Sequence, residues 1–342
     1  MQTVDYIISY IDFTQREIIE LYEKTTGIKY VNDKNSSYID LTLTLKLIFK
    51  NLPFINKIYI TCKDVQKLPN DTEDFIEEMR GRIVRVNESE FMPNAYVTFS
   101  ASCIEMFIWK IPGLSEFFIY GNDDMIPLKK MSYENFFLDG NPVIRFFYYS
   151  NPFNCQYCLH IANANNLIFD RRKNDYDYTL CYFGEHTIRP LTKSICEKCY
   201  NEYKEFIDNS LYPVRYYKNF NIDMFLIYGL KNGFVINEDM GYDFHFSDVS
   251  YNLLLNYRKS IEEKKYSKVP HLMCINDCGD CTDEELNKIR SALKSLMKID
   301  FHCDFENDIT KNDDDNKTTI TPKNTTPTKS KIKLTKIHRL RK

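Results

Sequence analysis

Glycine is scarce, with ten residues in 342, about half the ~7% share of an average chain. No G-x-G-x-x-G and no G-x-x-x-x-G-K-[ST] string occurs, which excludes a Rossmann dinucleotide fingerprint and a P-loop. No apolar run approaches the ~18–20 residues that span a bilayer. The first residues, MQTVDYIISYID, lack a basic n-region, and Asp5 and Asp12 interrupt the apolar run, unlike a secretory leader. These absences set the expectation of a soluble, cytoplasmic chain. A basic excess is missing too: 45 Lys and Arg against 48 Asp and Glu give −3. Residues 311–342 alone hold +7, so the rest sits near −10. Such a body argues against nucleic acid as a partner, because nucleic-acid binders show a basic footprint.

What is present is a core. Hydrophobic residues make up 43% and aromatics 15%, enough for one large or two modest domains. The eleven cysteines, without a leader, read as free thiols or metal ligands rather than a disulfide framework. Sequons at Asn35, Asn70, Asn87, Asn316 and Asn324 read as chance in an asparagine-rich chain.

Strands and helices alternate through the first third. Val4–Ile11 suits a buried strand. Asp40–Asn51 puts Leu41, Leu45 and Ile48 on one helical face before Pro53. Lys57–Cys62 and Ile83–Asn87 read as further strands, Ser100–Lys110 as a helix, and Glu116–Tyr120 as a fourth strand. This alternation predicts an α/β fold, a parallel-sheet layered core with flanking helices. Residues 141–185 read as an irregular aromatic insertion. Thr192–Asp208 and Asn219–Asn232 read as helices, and Thr282–Met297 carries a capping box from Thr282 to Glu285. From about Asn307 the apolar content collapses, so the expected layout is a domain over 1–306 and a disordered C-terminal tail over 307–342, basic at its end.

In a parallel sheet, ligands collect at the carboxyl ends of the strands. Asp12 follows the first strand, and Asn122, Asp123 and Asp124 follow the fourth. Neighbouring carboxylates repel unless a cation or donors offset them, and Mg²⁺ or Mn²⁺ suits such hard oxygen ligands. The same letters also make a plain turn. Spacing alone leaves both readings open.

Longer strings decide between them. Residues 96–125, YVTFSASCIEMFIWKIPGLSEFFIYGNDDM, resemble the second conserved region of the Stealth family, and Asp40–Cys62 and Asn87–Pro93 resemble its earlier parts. Val4–Asp12 is similar to the first region. Glu185–Lys193 with Tyr212–Asp223 is similar to the third, and Cys274–Met297 to the fourth. The likeness runs in order over about residues 4–300. It departs at Phe13 and Gln15, where the family has glycine and a second aspartate, and at Trp109-Lys110, where a His-Arg pair is usual.

The resemblance implies transfer of a sugar-1-phosphate from a nucleotide sugar to an acceptor hydroxyl on a glycan, with release of a nucleoside monophosphate. Capsular or surface polysaccharide synthesis is the implied setting. It implies that Asp123 and Asp124 hold the metal and diphosphate, that Asp12 and Asn122 contact the donor, and that His186 is the base or touches phosphate. Arg189 and Arg215 are implied phosphate clamps, Asn276 and Asp277 orient substrate or metal, and Glu105 supports the site. Each has a plainer alternative: a structural histidine for His186, a surface or cap residue for Arg189, a helix cap for Asn276 and Asp277, and a surface carboxylate for Glu105. Two other functional classes stay open: a glycosyltransferase that moves the sugar alone, and an inactive homologue acting as a binding module.

Two features stand apart. Cys155-x2-Cys158 and Cys196-x2-Cys199 would supply four thiolates for structural Zn²⁺, or Cys196 and Cys199 are core-facing thiols of one helix. Lys323–Lys342 has eight basic residues and no acid. It reads as a solvated tail or as a contact with the inner face of an anionic membrane.

Overall fold

The computed structural model describes residues 2–31, 40–149, 156–170, 181–184, 186–237, 243–246 and 271–275, with single positions between 259 and 295. The chain divides into two units, 1–303 and 304–342, and all these residues lie in the first. β1 (Val4–Ser9) is buried at every position but the last, as a strand covered on both faces of a parallel sheet should be. β2 (Ile55–Cys62), β3 (Ile83–Asn87) and β4 (Phe117–Asn122) complete the parallel set. α1 (Arg16–Thr26) and α2 (Leu41–Asn51) precede β2, α3 (Asn70–Glu78) precedes β3, and α4 (Ala101–Glu105) precedes β4.

After β4 come β5 (Met125–Pro127), β6 (Phe137–Leu138), β7 (Asn141–Ile144), β8 (Phe146–Tyr149), α5 (Gln156–Ile168) and β9 (Cys181–Gly184). Then follow β10 (Arg189–Thr192), α6 (Lys193–Asp208), α7 (Asp223–Lys231), β11 (Ile236–Asn237), β12 (Asp243–Phe246) and β13 (Leu272–Ile275). The main sheet has the order β10-β4-β1-β2-β3, with β10 antiparallel to β4. A small sheet, β12-β13-β5, sets Cys274 opposite Met125.

Both faces of the main sheet are covered. Val4, Tyr6 and Ile8 enter one core with Leu41, Leu45 and Ile48 of α2. Ile7 enters the other with Ile195 of α6 and Met224 of α7. The period of two along β1 therefore sorts its side chains between two helical layers, and the expected layered α/β core is what forms. Asp5, buried within β1, accepts from Asn56 Nδ2 at 3.0 Å, Lys57 N at 3.2 Å and Ser115 N at 2.8 Å. It ties the start of β2 to the segment that leads into β4.

Three expectations change. The helix expected over 100–110 ends at Glu105, because Phe107 (φ −124°) leaves helical geometry; a 3₁₀ turn follows at Ile108–Lys110, and Trp109 Nε1 caps Met106 O at 3.0 Å. The helix expected from Asn219 starts at Asp223, because the Asn219 side chain joins loop backbone instead: Nδ2 donates to Ser210 O at 2.6 Å and Oδ1 accepts from Tyr216 N at 2.6 Å. The insertion over 141–185 is not irregular throughout: it carries the 13-residue α5 and the β8–β9 pair. The period of α5 is hidden because His160 and Asn165, polar letters, sit fully buried in it with tertiary hydrogen bonds. The capping box at Thr282 and the basic tail lie outside the described residues. Among the described residues, no helix is long and apolar enough to cross a membrane.

Candidate active site

Strand order reverses at β1: β2 and β3 extend to one side and β4 lies on the other. The carboxyl ends of β1 and β4 therefore flank a topological switch point, where open α/β sheets bind ligands. Asp123 and Asp124 form the turn from β4 into β5, and Thr44 Oγ from α2 anchors that turn through Asp123 O at 3.0 Å. Asp124 Oδ1 is sealed from solvent and has no hydrogen-bond partner. Burial first, then the neighbouring Asp123 charge, raises the Asp124 carboxyl to about 7. The Tyr6 hydroxyl, also sealed and unpartnered, lies within electrostatic reach of Asp124. A side chain at Gly121 would strike that hydroxyl, so β4 needs glycine there. Around Tyr10, whose phenol burial and negative charge push up, gather the carboxylates of Asp12, Asp123, Asp71 and Asp40.

A second group of polar side chains joins this turn from below. His186 Nδ1 lies 3.6 Å from Cys274 Sγ, and the Cys274 thiol donates to the Asp124 carboxylate. The His186 ring packs 4.9 Å from the Tyr157 ring, and Tyr157 Oη donates to Asp223 Oδ2 at 3.3 Å. Asp223 is fully buried and pairs with buried Arg189, Nε to Oδ1 at 2.6 Å. Arg189 Nη1 donates to Thr187 O at 3.1 Å. A Cβ at Gly184 would lie 2.8 Å from Arg189 Nη2, so glycine makes room for the guanidinium. One residue before Asp223, Ile222 N donates to Glu105 Oε2 at 2.9 Å. Tyr120 Oη lies 3.2 Å from Glu105 Oε1 and 2.8 Å from Asn122 Oδ1, which returns to the aspartate turn.

Asp123, Asp124, Asn122, His186, Arg189 and Glu105 thus come together, although they lie on β4 and the turn after it, on α4, and on β10 and the loop before it. Glu105 is buried and its carboxyl is raised, chiefly by desolvation; it is not a surface carboxylate. Arg189 is inside as well, with its fork engaged by Asp223 and the Thr187 carbonyl. Arg215 is exposed, and its charge favours the ionised form of Glu105. Asp12 is held locally: Oδ1 accepts from Thr14 N at 2.9 Å and Thr14 Oγ at 2.6 Å, and Oδ2 from Gln15 Nε2 at 2.9 Å. Asn276 and Asp277 lie outside the described residues. Tyr157, Asp223, Tyr120 and Cys274 join the site without a signal of their own in the sequence, because only tertiary distance separates a buried tyrosine with a task from one that fills space.

The departures from the family pattern have physical occupations. Phe13 stacks on Tyr30 with ring centres 5.1 Å apart and planes 5° apart. Gln15 joins its loop to the next by donating to Lys67 O at 2.7 Å and accepting from Lys67 N at 2.9 Å. Trp109 is buried in the core beside Tyr200, and Lys110 Nζ sits 4.2 Å over the Tyr200 ring.

Among the described residues, no three His, Cys, Asp or Glu side chains converge as a metal-binding group. Cys158, Cys196 and Cys199 are buried, burial drives the Cys196 and Cys199 thiols well up, and Cys155 lies outside the described residues. The aspartate turn is the better fit to a metal. Mg²⁺ commonly takes only one or two protein carboxylates and completes its shell with water and substrate phosphates, and the orphaned Asp124 Oδ1 is an acceptor that lacks a cation or donor.

Residues 34–144 match the model of Stealth protein CR2, conserved region 2. The capsular polysaccharide phosphotransferase of Neisseria meningitidis serogroup B is 26% identical over 294 residues, 80% of this chain and 76% of that protein. A capsular polysaccharide phosphotransferase of Haemophilus influenzae is 26% identical over 268 residues, 75% of this chain and 71% of that one. Among solved structures, galactosyltransferase LgtC in complex with donor and acceptor sugar analogues aligns over 87% of this chain and 97% of that one, at 12% identity and a TM-score of 0.39, too loose a likeness to build on.

Proposed function

We propose that this chain, whose residues 34–144 match the model of Stealth protein CR2, is a phosphotransferase of capsular or surface polysaccharide synthesis, moving a sugar-1-phosphate from a nucleotide sugar to an acceptor hydroxyl on a glycan. The observation that carries the reading is the sealed, unpartnered Asp124 Oδ1 beside Asp123 at the switch point. Asp123 and Asp124 would hold Mg²⁺ or Mn²⁺, which supplies charge neutralisation on a diphosphate. The chain's own groups do the rest. His186 is the candidate to take the acceptor proton, because imidazole titrates near neutrality. Cys274 holds it beside Asp124. Arg215, exposed, would meet phosphate oxygens with a bidentate fork. Arg189 keeps Asp223 and Tyr157 in place behind His186, and Glu105 fixes Asn122 through Tyr120. Asp12 shapes the donor-side loop.

The test is the identity of the released nucleotide. Purified chain is incubated with Mg²⁺, a panel of UDP-, CDP- and GDP-sugars and candidate glycan acceptors. Release of a nucleoside monophosphate, with phosphate retained in the product, is the expected result. Release of a nucleoside diphosphate would mean that the sugar alone moves. No turnover of any donor would point to a binding module.

A further inference from the structure

α5, the end of α6 and the 211–220 segment line a groove of about 490 Å³, within the ~300–1,000 Å³ of small-molecule clefts. It shares no residue with the aspartate site. Asn163 and Asn166 stand three apart on one face of α5; Glu205 and Phe206 of α6, and Tyr212 and Lys218 of the segment, also face the groove. Asn163 Nδ2 donates to the carbonyls of Tyr217 at 2.7 Å and Asn219 at 3.0 Å, which leaves its Oδ1 as an acceptor. Asn166 is half-buried and has no hydrogen-bonding partner among the described residues. Phe206 is 43% exposed, large for a phenylalanine on a helix.

The lining selects a ligand class. Two side-chain amides offer the donors and acceptors that match neighbouring hydroxyls, and aromatic faces pack on the C–H face of a pyranose ring. Glu205 and Lys218 cancel in charge, so the lining offers no cationic excess for a nucleotide or other polyphosphate. From the groove a tyrosine ladder continues along the same segment, Tyr212 to Tyr216 at 4.2 Å and Tyr216 to Tyr217 at 4.4 Å between ring centres. Tyr217 is 51% exposed. That segment also carries Arg215, whose charge reaches Glu105. We propose that the groove is a saccharide subsite for the glycan acceptor, holding sugar units distant from the reacting hydroxyl. Naming the ligand as acceptor rests on the phosphotransferase reading; the saccharide chemistry does not.

The test separates the two. Full-length chain is studied by saturation-transfer NMR with neutral hexose and N-acetylhexosamine oligosaccharides of graded length, without nucleotide sugar. Wild type and Asp124→Asn should bind alike, with affinity rising with length. Phe206→Ala and Asn166→Ala, which break no hydrogen bond and are confirmed as folded by their Tm, should each weaken binding about tenfold, equivalent to ~1.4 kcal/mol. Failure of every oligosaccharide to bind wild type, or unchanged binding by both variants, overturns the subsite. If oligosaccharides bind as expected but no nucleoside monophosphate is released from any nucleotide sugar, the phosphotransferase reading falls and the saccharide site stands. In the transfer assay the same variants should raise KM for long acceptors and leave kcat and short acceptors unchanged.

Discussion

The loops after β1 and β4 both begin at the carboxyl end of a parallel strand, and both carry aspartate. In the first, Asp12 accepts three hydrogen bonds from Thr14 and Gln15 and so stabilises its own turn. In the second, Asp124 accepts from Cys274 while one oxygen remains buried and unpartnered. Burying such an atom costs roughly 1–3 kcal/mol, which a fold tolerates where a ligand later supplies the partner. Two aspartates that each follow a parallel strand thus meet different surroundings: one is satisfied within its own loop, the other keeps a buried oxygen without a donor.

The sharpest test of that contrast is Asp124→Asn. It should lower nucleotide release about 10³-fold with Tm unchanged or raised, since a desolvated charge is removed; retained activity would erase the distinction between the loops. Next comes the support behind His186. Arg189→Met should cost ~3–5 kcal/mol in urea unfolding, because Asp223 is left buried and uncompensated, and adding Asp223→Leu should recover much of it. A milder effect concerns pH. Burial lowers His160 from its ordinary 6.5 to about 4, so the neutral ring, hydrogen-bonded to Ser102 and the Tyr216 carbonyl, is the folded form. Above about pH 6.5 both states are neutral and stability is full. As pH falls toward 4, the unfolded chain binds the proton first and stability declines. Tm followed from pH 7 to 4 should show that decline, flattened in His160→Gln. Smallest is Asp12→Ala, expected to cost ~1 kcal/mol, the worth of a local cap, and to lower activity less than tenfold; a loss equal to that of Asp124→Asn would make both loops ligand-binding.

Particular residues show what was legible. Asp123 and Asp124 could be placed at a strand end because an apolar run followed by a polar turn needs only local sequence. Glu105 and Arg189 read as surface residues as easily as buried ones, since a charge enters a core only when its partner arrives, and Asp223 is 34 residues from Arg189. The helix α5 is not legible in the sequence because its buried His160 and Asn165 break the apolar period that marks a helix face. Asp12 could be placed after the first strand in the same way, whereas the hydrogen bonds that Thr14 and Gln15 donate to its oxygens are seen only in the fold.

By itself the amino-acid order determined the run of strands and helices, the parallel core and the polar turn at Asn122-Asp123-Asp124, because hydrophobic period and turn chemistry act over neighbouring residues. Only the tertiary structure decided which polar groups share the space behind that turn. Hydrogen bonds and buried charge act through distances of a few ångströms between segments as far apart as Asp124 and Cys274, and nothing local fixes those distances before the layers pack.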